Sequence, residues 1–323
     1  MAIGEAGSIT TNSPGENDPI TVTFSEALED PIFSLTATSN GGDPFVLRIT
    51  DIQLDGDGNA TGFTFIIEEW EYLDGQHGAT ETINWLAVER GVHELPDGRI
   101  IEAGTVDSNP GSGNTPVTLN GGFTDPPVVL TSVMSENDTT TVDSDPLNIT
   151  ASGFNIQLQE EEAQPDDHAS ETIGYIAIQS GSGANSGSAT TGITSSATNV
   201  IGLGDTFTNG ITVADTQTIN GGDPARVSID GGNASNVNLS LQEEQSQGGE
   251  TNHVNETVGV VTFEAGLILC FAPGCKISTP TGPVDVVDLK EGDLVITKAT
   301  GCVLFDGLGE NVLAELVKWS HRI

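Results

Sequence analysis

One pattern of residues occurs three times in this chain, about 90 residues apart, and it limits the possible folds more than any other feature. In each copy, an alternating apolar and polar stretch ends in paired glutamates, and a short polar loop leads to a histidine and a Glu-Thr pair. A second marker, Asn-Gly-Gly-Asp-Pro, stands at 40–44 and again at 220–224, two periods later. A period of this length is a whole small domain rather than a solenoid repeat. The sequence therefore predicts three tandem domains of one kind.

Within each copy the residues alternate as in a half-buried strand. Phe154, Ile156 and Leu158 share one face, with polar residues between them. The run 173–178 is apolar on both faces, which is typical of a strand inside a sandwich. The predicted fold class is all-β, with three tandem antiparallel β-sandwich units of about 90 residues and a partial β-rich segment with a short helix at the C-terminal side. The predicted boundaries are 1–105, 106–185, 186–268 and 269–323.

The charge of the chain excludes several classes of partner. It has 9 lysines and arginines against 47 aspartates and glutamates, a net charge of −38. Phosphate backbones would be repelled, so we expect no nucleic-acid binding. Anionic membrane surfaces are disfavoured, and no apolar run reaches membrane-spanning length, so we expect no membrane insertion. The many carboxylates either keep the protein soluble or act as calcium ligands. We therefore expect no cofactor, and calcium binding is the open alternative.

The N-terminal residues do not resemble a Sec-type signal peptide. Residues 1–7 contain neither a basic residue nor an apolar core. We therefore expect an extracellular or cell-surface location reached by a route without an N-terminal signal peptide.

The repeated glutamates and histidines are candidate binding residues. Histidine with carboxylates is a donor set that metals accept. The distance along the chain from glutamate to histidine differs between the copies, so we predict no metal site. The alternative is structural, with each histidine pairing with a nearby carboxylate at a loop end. Asp55-Gly-Asp-Gly-Asn59 resembles the start of an EF-hand loop but lacks its later glycine and glutamate, and it predicts a turn. The candidates are Glu69, His77, Glu81, Glu160, His168, Glu171, Glu243, His253 and Glu256.

Composition changes abruptly near residues 265–270. All three cysteines and five of the nine basic residues lie beyond this point. The segment begins Cys270-Phe-Ala-Pro-Gly-Cys275, continues with Thr279-Pro-Thr-Gly282, and reaches Glu291-Gly-Asp293 before an apolar strand at 294–297. In order and spacing it resembles the opening block of the bacterial Hint (Hedgehog/intein) self-processing module.

That resemblance implies an N–S acyl shift at the Leu269–Cys270 bond. Cys270 would be the nucleophile and Leu269 would supply the scissile carbonyl. The family's downstream Thr-x-x-His supplies a general acid, whereas here the single downstream histidine, His321, follows Lys318 by three residues. The resemblance ends after Gly301, and the following residues read as a short helix. We therefore expect a truncated and impaired module, with a frameshift or gene truncation as the hypothesis.

The repeated units resemble H-type lectin domains, most clearly in the second copy. The likeness rests on Phe123-Thr-Asp-Pro-Pro-Val-Val-Leu130, Ile149-Thr-Ala-Ser-Gly-Phe-Asn-Ile156 and Glu171-Thr-Ile-Gly-Tyr-Ile-Ala177. It implies six-stranded sandwiches that trimerise and bind sugars at subunit borders. Three units in one chain would then form an internal pseudo-trimer, with glycans or a cell surface as partners.

The combined prediction is an exported, acidic β protein with adhesive or carbohydrate-binding repeats and a C-terminal Hint segment. Its only enzymatic activity would be self-cleavage, with no external substrate. One alternative is a non-catalytic structural surface protein with a relic Hint tail. Another is a catalytic half that needs a separately encoded partner, as in split inteins.

Overall fold

The computed structural model describes residues 2–41, 43–73, 75–163, 168–183, 186–193, 198–248, 253–269, 276–285, 294–297 and 301–304. In this part of the chain the elements are β-strands and one short 3₁₀ turn, Pro110–Ser112. No helix in these residues has the length and apolar character to cross a bilayer. The prediction of an all-β fold is confirmed.

Unit 1 comprises seven strands: β1 (Ala2–Thr11), β2 (Ile20–Leu28), β3 (Pro31–Thr38), β4 (Phe45–Leu54), β5 (Ala60–Glu69), β6 (Glu81–Glu89) and β7 (Gly91–Glu94). Unit 2 comprises β8 (Ile100–Ser108), β9 (Thr115–Thr118), β10 (Val128–Val133), β11 (Val142–Thr150), β12 (Gly153–Glu160), β13 (Glu171–Ile178) and β14 (Gly181–Gly183). Unit 3 comprises β15 (Ser186–Ile193), β16 (Asn199–Gly202), β17 (Gly210–Thr216), β18 (Ala225–Asn233), β19 (Asn236–Glu243), β20 (Glu256–Glu264) and β21 (Gly266–Leu269).

The first six strands of every unit pair in the same way. The sixth strand lies between the first and the third in one antiparallel sheet. The fifth lies between the second and the fourth in the other. Each unit is thus a six-stranded sandwich, and it has its own apolar core between the two sheets. The predicted boundary between residues 105 and 106 falls within β8, which pairs with β13 of unit 2; the predicted boundaries stay predictions.

A fourth apolar core lies between the units. It joins Ile32 and Leu86 of unit 1, Ile176 of unit 2 and Val261 of unit 3, all buried, with others. The sixth strands are therefore buried on both faces, one inside their own sandwich and one against the other units. This explains the two-sided apolar run at 173–178, because Tyr175 packs within unit 2 whereas Ile176 packs in the shared core.

The last strand of each unit leaves its own sandwich and pairs with the next unit. A glycine with positive φ opens each of these strands, at Gly91 (123°), Gly181 (144°) and Gly266 (114°), a conformation that residues with a Cβ rarely adopt. β7 pairs with β8, β14 with β15, and β21 with β1. The last of these pairings returns to the first strand of the chain, so the three units form a closed ring.

Fourth and third strands also meet across the unit junctions. β4 of unit 1 has a parallel bridge to β10 of unit 2, and β18 of unit 3 has one to β3 of unit 1. Two seven-stranded sheets result. At the third junction, β11 of unit 2 and β17 of unit 3 are in contact but belong to separate sheets.

Two short hairpins follow the ring. β22 (Lys276–Thr279) pairs with β23 (Gly282–Asp285), and β24 (Leu294–Thr297), at the predicted apolar strand, pairs with β25 (Gly301–Leu304). β25 shows that strand structure continues past Gly301, where the resemblance to the Hint module ends. The predicted helix, with Leu313, Leu316 and Val317 on one face, lies outside the described residues.

Candidate functional site

The predicted scissile carbonyl belongs to the strand that closes the ring. Leu269 is the last residue of β21 and pairs with Ala2 of β1, and its neighbour Ile268 is buried in the core between the units. Cys270, the predicted nucleophile, lies outside the described residues. The ring therefore ends on one side of the Leu269–Cys270 bond, and the cysteine-containing segment begins on the other.

The glutamate of each repeated Glu-Thr pair binds a loop of its own unit through its carboxylate. Glu81 is buried at the start of β6 and accepts hydrogen bonds from the Thr38 hydroxyl (2.5 Å) and the backbone N–H groups of Asn40 (2.7 Å) and Gly41 (3.0 Å). The Asn40 side chain donates to the carbonyl of Thr80 (2.9 Å). The carboxylate thus satisfies the donors of the loop between the third and fourth strands and holds that loop against the sixth strand.

The other two units repeat this arrangement. Glu171 accepts from the Ser135 hydroxyl and from the N–H groups of Asn137 (2.9 Å) and Asp138 (3.0 Å). Glu256 accepts from the Thr218 hydroxyl (2.5 Å) and from the N–H groups of Asn220 (2.6 Å) and Gly221 (3.1 Å).

The loop partners of these glutamates were missed by the sequence analysis, although a signal was present. A hydroxyl residue and, two positions later, an asparagine precede each glutamate, in Thr38-Ser-Asn40, Ser135-Glu-Asn137 and Thr218-Ile-Asn220. The Asn-Gly-Gly-Asp-Pro marker covers the asparagine and the glycine after it, whose N–H groups both donate to the glutamate, but it leaves out the hydroxyl residue and occurs only in units 1 and 3.

The histidines, in contrast, have different partners in each unit. His77 lies between two carboxylates, with Nδ1 3.1 Å from Glu69 and Nε2 3.2 Å from Glu81. His77 thus links Glu69 to Glu81 inside unit 1.

In unit 2, His168 contacts the Thr140 hydroxyl (2.7 Å) and Glu171 (3.1 Å). In unit 3, His253 contacts the carbonyl oxygens of Val254 (2.8 Å) and Asp223 (3.1 Å), and Glu256 lies 3.9 Å away.

The structure therefore brings the predicted binding residues together unequally. In unit 1, His77 contacts both Glu69 and Glu81. In unit 2, the second ring nitrogen of His168 contacts Thr140 instead of Glu160. In unit 3, the ring nitrogens of His253 contact backbone carbonyls instead of Glu243. Within the described part of the chain, no three His, Cys, Asp or Glu side chains are grouped as a metal site. The binding role of these residues stays a prediction.

The ionisation of Glu81 reflects its loop partners. Burial by itself would raise its pKa, but the hydrogen bonds from His77, Thr38, Asn40 and Gly41 outweigh burial and lower the pKa to about 2. The pKa of Glu171 is also lowered, because the hydrogen bonds from Ser135 and the loop amides outweigh its burial. Both groups are ionised and stabilise their loops at neutral pH.

We expect Glu81→Gln to lower the free energy of unfolding at pH 7 by about 1–3 kcal/mol, since the loop donors lose a charged acceptor. The pKa of Glu81 is lowered on folding, so its contribution is present above its ordinary value of 4.5 and lost as the pH falls towards about 2. Urea unfolding between pH 2 and pH 7 would show a flatter pH dependence in the variant. The exposed Glu29→Gln is the matched control, and equal profiles for the two variants would contradict the assignment.

A buried arginine joins units 1 and 2 next to one of these loops. Arg48 of β4 donates from Nη1 to the carbonyl of Asp138 (2.8 Å) and from Nη2 to that of Thr140 (2.7 Å). Its Nε lies 3.0 Å from Glu68, an ion-pair contact without hydrogen-bond alignment. Burial raises the pKa of Glu68 to about 8, although Arg48 opposes this shift. The guanidinium thus holds the unit 2 loop that Glu171 also holds.

Comparisons with known proteins match the two parts of the chain separately. Residues 269–319 match the family model described as Hint domain. Halomucin from Haloquadratum walsbyi (strain DSM 16790 / HBSQ001) is 26% identical over 299 residues, which cover 87% of this chain and 3% of halomucin. The chain thus spans about 3% of the length of this curated relative. No solved structure matches.

Proposed function

Because the C-terminal segment of this chain is a Hint domain segment, beginning at Leu269, we propose that it cleaves the Leu269–Cys270 bond and releases the upstream ring. The proposal rests on the observation that the family match begins at the residue where the ring ends. The family match begins at residue 269, and the ring-closing strand β21 ends there. Cleavage at this bond would leave every strand of the ring intact.

The proposed chemistry is an N–S acyl shift. The Cys270 sulfur attacks the carbonyl carbon of Leu269, a C–S bond forms and the C–N bond to Cys270 breaks. The thiol proton is transferred to the leaving nitrogen, which becomes the free amine of Cys270. Water or an added thiol then takes the acyl group from the thioester. The step needs a donor to protonate the nitrogen, and His321 is the one histidine that follows Cys270 in the sequence. Lys318 stands where the family's Thr-x-x-His has threonine, so we expect the cleavage to be slow.

Incubation of the purified full chain with and without dithiothreitol tests this activity. We expect a fragment of residues 1–269 to accumulate faster with the thiol, because the thiol intercepts the thioester. A chain that stays uncut in both conditions would contradict the proposal and favour a relic tail. Cutting only after addition of extract from the source cells would instead indicate a separately encoded partner.

We further propose that the ring is the released product and binds carbohydrate outside the cell or at its surface. A cleft of about 320 Å³ at the border of units 3 and 1 supports this second function. Its lining includes the polar groups of Asn84, Thr208 and Asn209, which suit the hydroxyl groups of a sugar, whereas Phe207 behind them is buried in the unit 3 core.

A glycan array of the full chain, with and without calcium, tests the carbohydrate function. We expect binding that Asn209→Ala weakens and Asn148→Ala, at an exposed position of β11 in unit 2, leaves unchanged. Absence of binding in both calcium conditions would refute this function without affecting the cleavage proposal.

A further inference from the structure

The junction between units 2 and 3 contains three aspartates. Asp143 and Asp145 lie on β11, and Asp215 lies on β17. Asp145 is buried, and Asp143 and Asp215 line a small cavity of about 50 Å³ between the units. Desolvated carboxylates at a junction between domains are costly unless they are paired or protonated.

Side-chain hydrogen bonds join β11 and β10 to β17 at this junction. The Thr216 hydroxyl donates to Asp145 Oδ1 (2.6 Å), and the N–H and hydroxyl of Thr131 both donate to Asp215 Oδ2 (2.8 Å each). The second oxygen of Asp145, Oδ2, is buried and has no hydrogen-bond partner. A carboxylate in that position would keep a charged oxygen without a donor.

The corresponding positions of the other two junctions are linked through the backbone. Val133 of β10 is bridged to Arg48 of β4, and Ser228 of β18 to Ala37 of β3. By the register of the units, Thr216 and Asp145 occupy the places of Val133 and Arg48. The third junction thus has side-chain hydrogen bonds where the other two have a parallel backbone bridge: those to Asp145 and Asp215, and two between the Gln217 amide and the backbone of Val129 (2.9 and 2.6 Å).

Few opposite charges are near these aspartates. Arg226 of β18 lines the same cavity, but in the described residues no ion pair within 4.0 Å joins it to any of the three. Its guanidinium stacks on Phe45 at 3.7 Å and donates to Gln242 (2.8 Å). The other cavity-lining residues, on β3, β4 and β10, are apolar or hydroxyl-bearing, and Glu256 of β20 adds a further negative charge near Asp145.

We propose that the junction between units 2 and 3 is a proton-dependent lock, closed while Asp145 and Asp215 are protonated and opened when they ionise. Opening would separate β17 from β10 and β11, while the pairing of β14 with β15 still joins units 2 and 3 and the backbone bridges keep the other two junctions closed. The ring would then loosen at one defined place.

The ionisation of these groups agrees with the geometry. Burial raises the pKa of Asp215 to about 8, with Asp143 adding to the shift, and burial raises the pKa of Asp143 to about 6. Burial and the neighbouring aspartates raise the pKa of Asp145 well above its ordinary value. Because these pKa values are raised on folding, the stabilisation is complete below the ordinary value of 3.8 and is lost as the pH rises through about 6 to 8.

Two backbone amides report on the junctions separately. The Thr131 N–H donates to Asp215 across the unit 2–unit 3 junction, and the Ala214 N–H donates to the Thr36 hydroxyl (2.8 Å) across the unit 3–unit 1 junction. Amide hydrogen exchange of the full chain in EDTA, measured by NMR from pH 5 to pH 9 and corrected for intrinsic rates, compares them in one molecule. We expect the ratio of the opening equilibrium constant of the Thr131 amide to that of the Ala214 amide to increase about tenfold or more from pH 5 to pH 9.

The double variant Asp145→Asn/Asp215→Asn keeps the shape of the carboxyl groups without their ionisation. We expect its ratio of Thr131 to Ala214 opening to be independent of pH, whereas Asp57→Asn, at an exposed turn, should behave as the original chain. A pH-independent ratio in the original chain, or the same rise in the double variant, would overturn the proposal. If the double variant fails to fold, the comparison of the two amides in the original chain remains decisive.

Discussion

Replacement of Arg48 by methionine is expected to lower the free energy of unfolding by about 3–5 kcal/mol. Arg48 is fully buried, and its two donors satisfy the carbonyls of Asp138 and Thr140 across the unit 1–unit 2 junction. Methionine fills much of the volume but leaves both carbonyls without these donors. Urea unfolding measures the loss. Arg48→Lys should restore little of it, because an ammonium cannot reach two carbonyls and Glu68 in the planar geometry of a guanidinium.

Two further variants distinguish the hydrogen bonds that Arg48 donates to the two carbonyls from the effect of its charge. Glu68→Gln should cost much less, since burial already disfavours the charged glutamate and glutamines, Gln159 and Gln242, occupy this position in the other units. Arg90→Met is the matched control, because its ion pair with Asp30 is exposed and such pairs contribute about 0–1 kcal/mol. A loss for Arg48→Met no larger than that for Arg90→Met would show that the junction does not depend on this arginine.

Cys270→Ala is expected to abolish cleavage of the chain completely. Alanine has no nucleophilic atom, so no thioester forms at Leu269 and a thiol has nothing to intercept. Cys275→Ala and Cys302→Ala are the matched controls, since each removes one thiol and leaves Cys270 in place. Both should retain cleavage. Cutting that survives Cys270→Ala, or that stops equally in either control, would contradict the role of Cys270 as the nucleophile.

The architecture of a single unit was predictable because its pattern is local. Alternation such as Phe154, Ile156, Leu158 reports which face of a strand is buried, and repetition reports the number of units. The shared core was less visible. Ile176 and Ile178 signalled a second buried face, but an apolar residue does not specify whether its partner lies in the same sandwich or in another unit.

The ring and its junctions depend on contacts between residues far apart in sequence. The closing pair β1 and β21 joins the two ends of the ring, and the signal for it was only a glycine, Gly266, after a strand. Asp145 and Asp215 looked like two more acids in a chain that contains 47 acidic residues. Their burial follows from the packing of unit 2 on unit 3, and no short-range pattern reports that packing.

The candidate sites divide in the same way. The repeated Glu-Thr pairs were identified as sites, but their hydroxyl and amide partners, such as Thr38 and Asn40, come from a different loop. His77 lies between two carboxylates, whereas the equivalent His253 contacts backbone carbonyls. The Hint segment was recognisable at Leu269 because its motif is contiguous, and a contiguous motif needs no tertiary information.

Thioester formation at the Leu269–Cys270 bond is tested most directly by the intact mass of the fragment that hydroxylamine releases from the full chain. Hydroxylamine attacks a thioester carbonyl and leaves a hydroxamic acid on the acyl residue. We expect a fragment of residues 1–269 with a hydroxamic acid at Leu269, and no such fragment from Cys270→Ala. An uncut chain, or a fragment that ends at any other residue, would contradict this expectation.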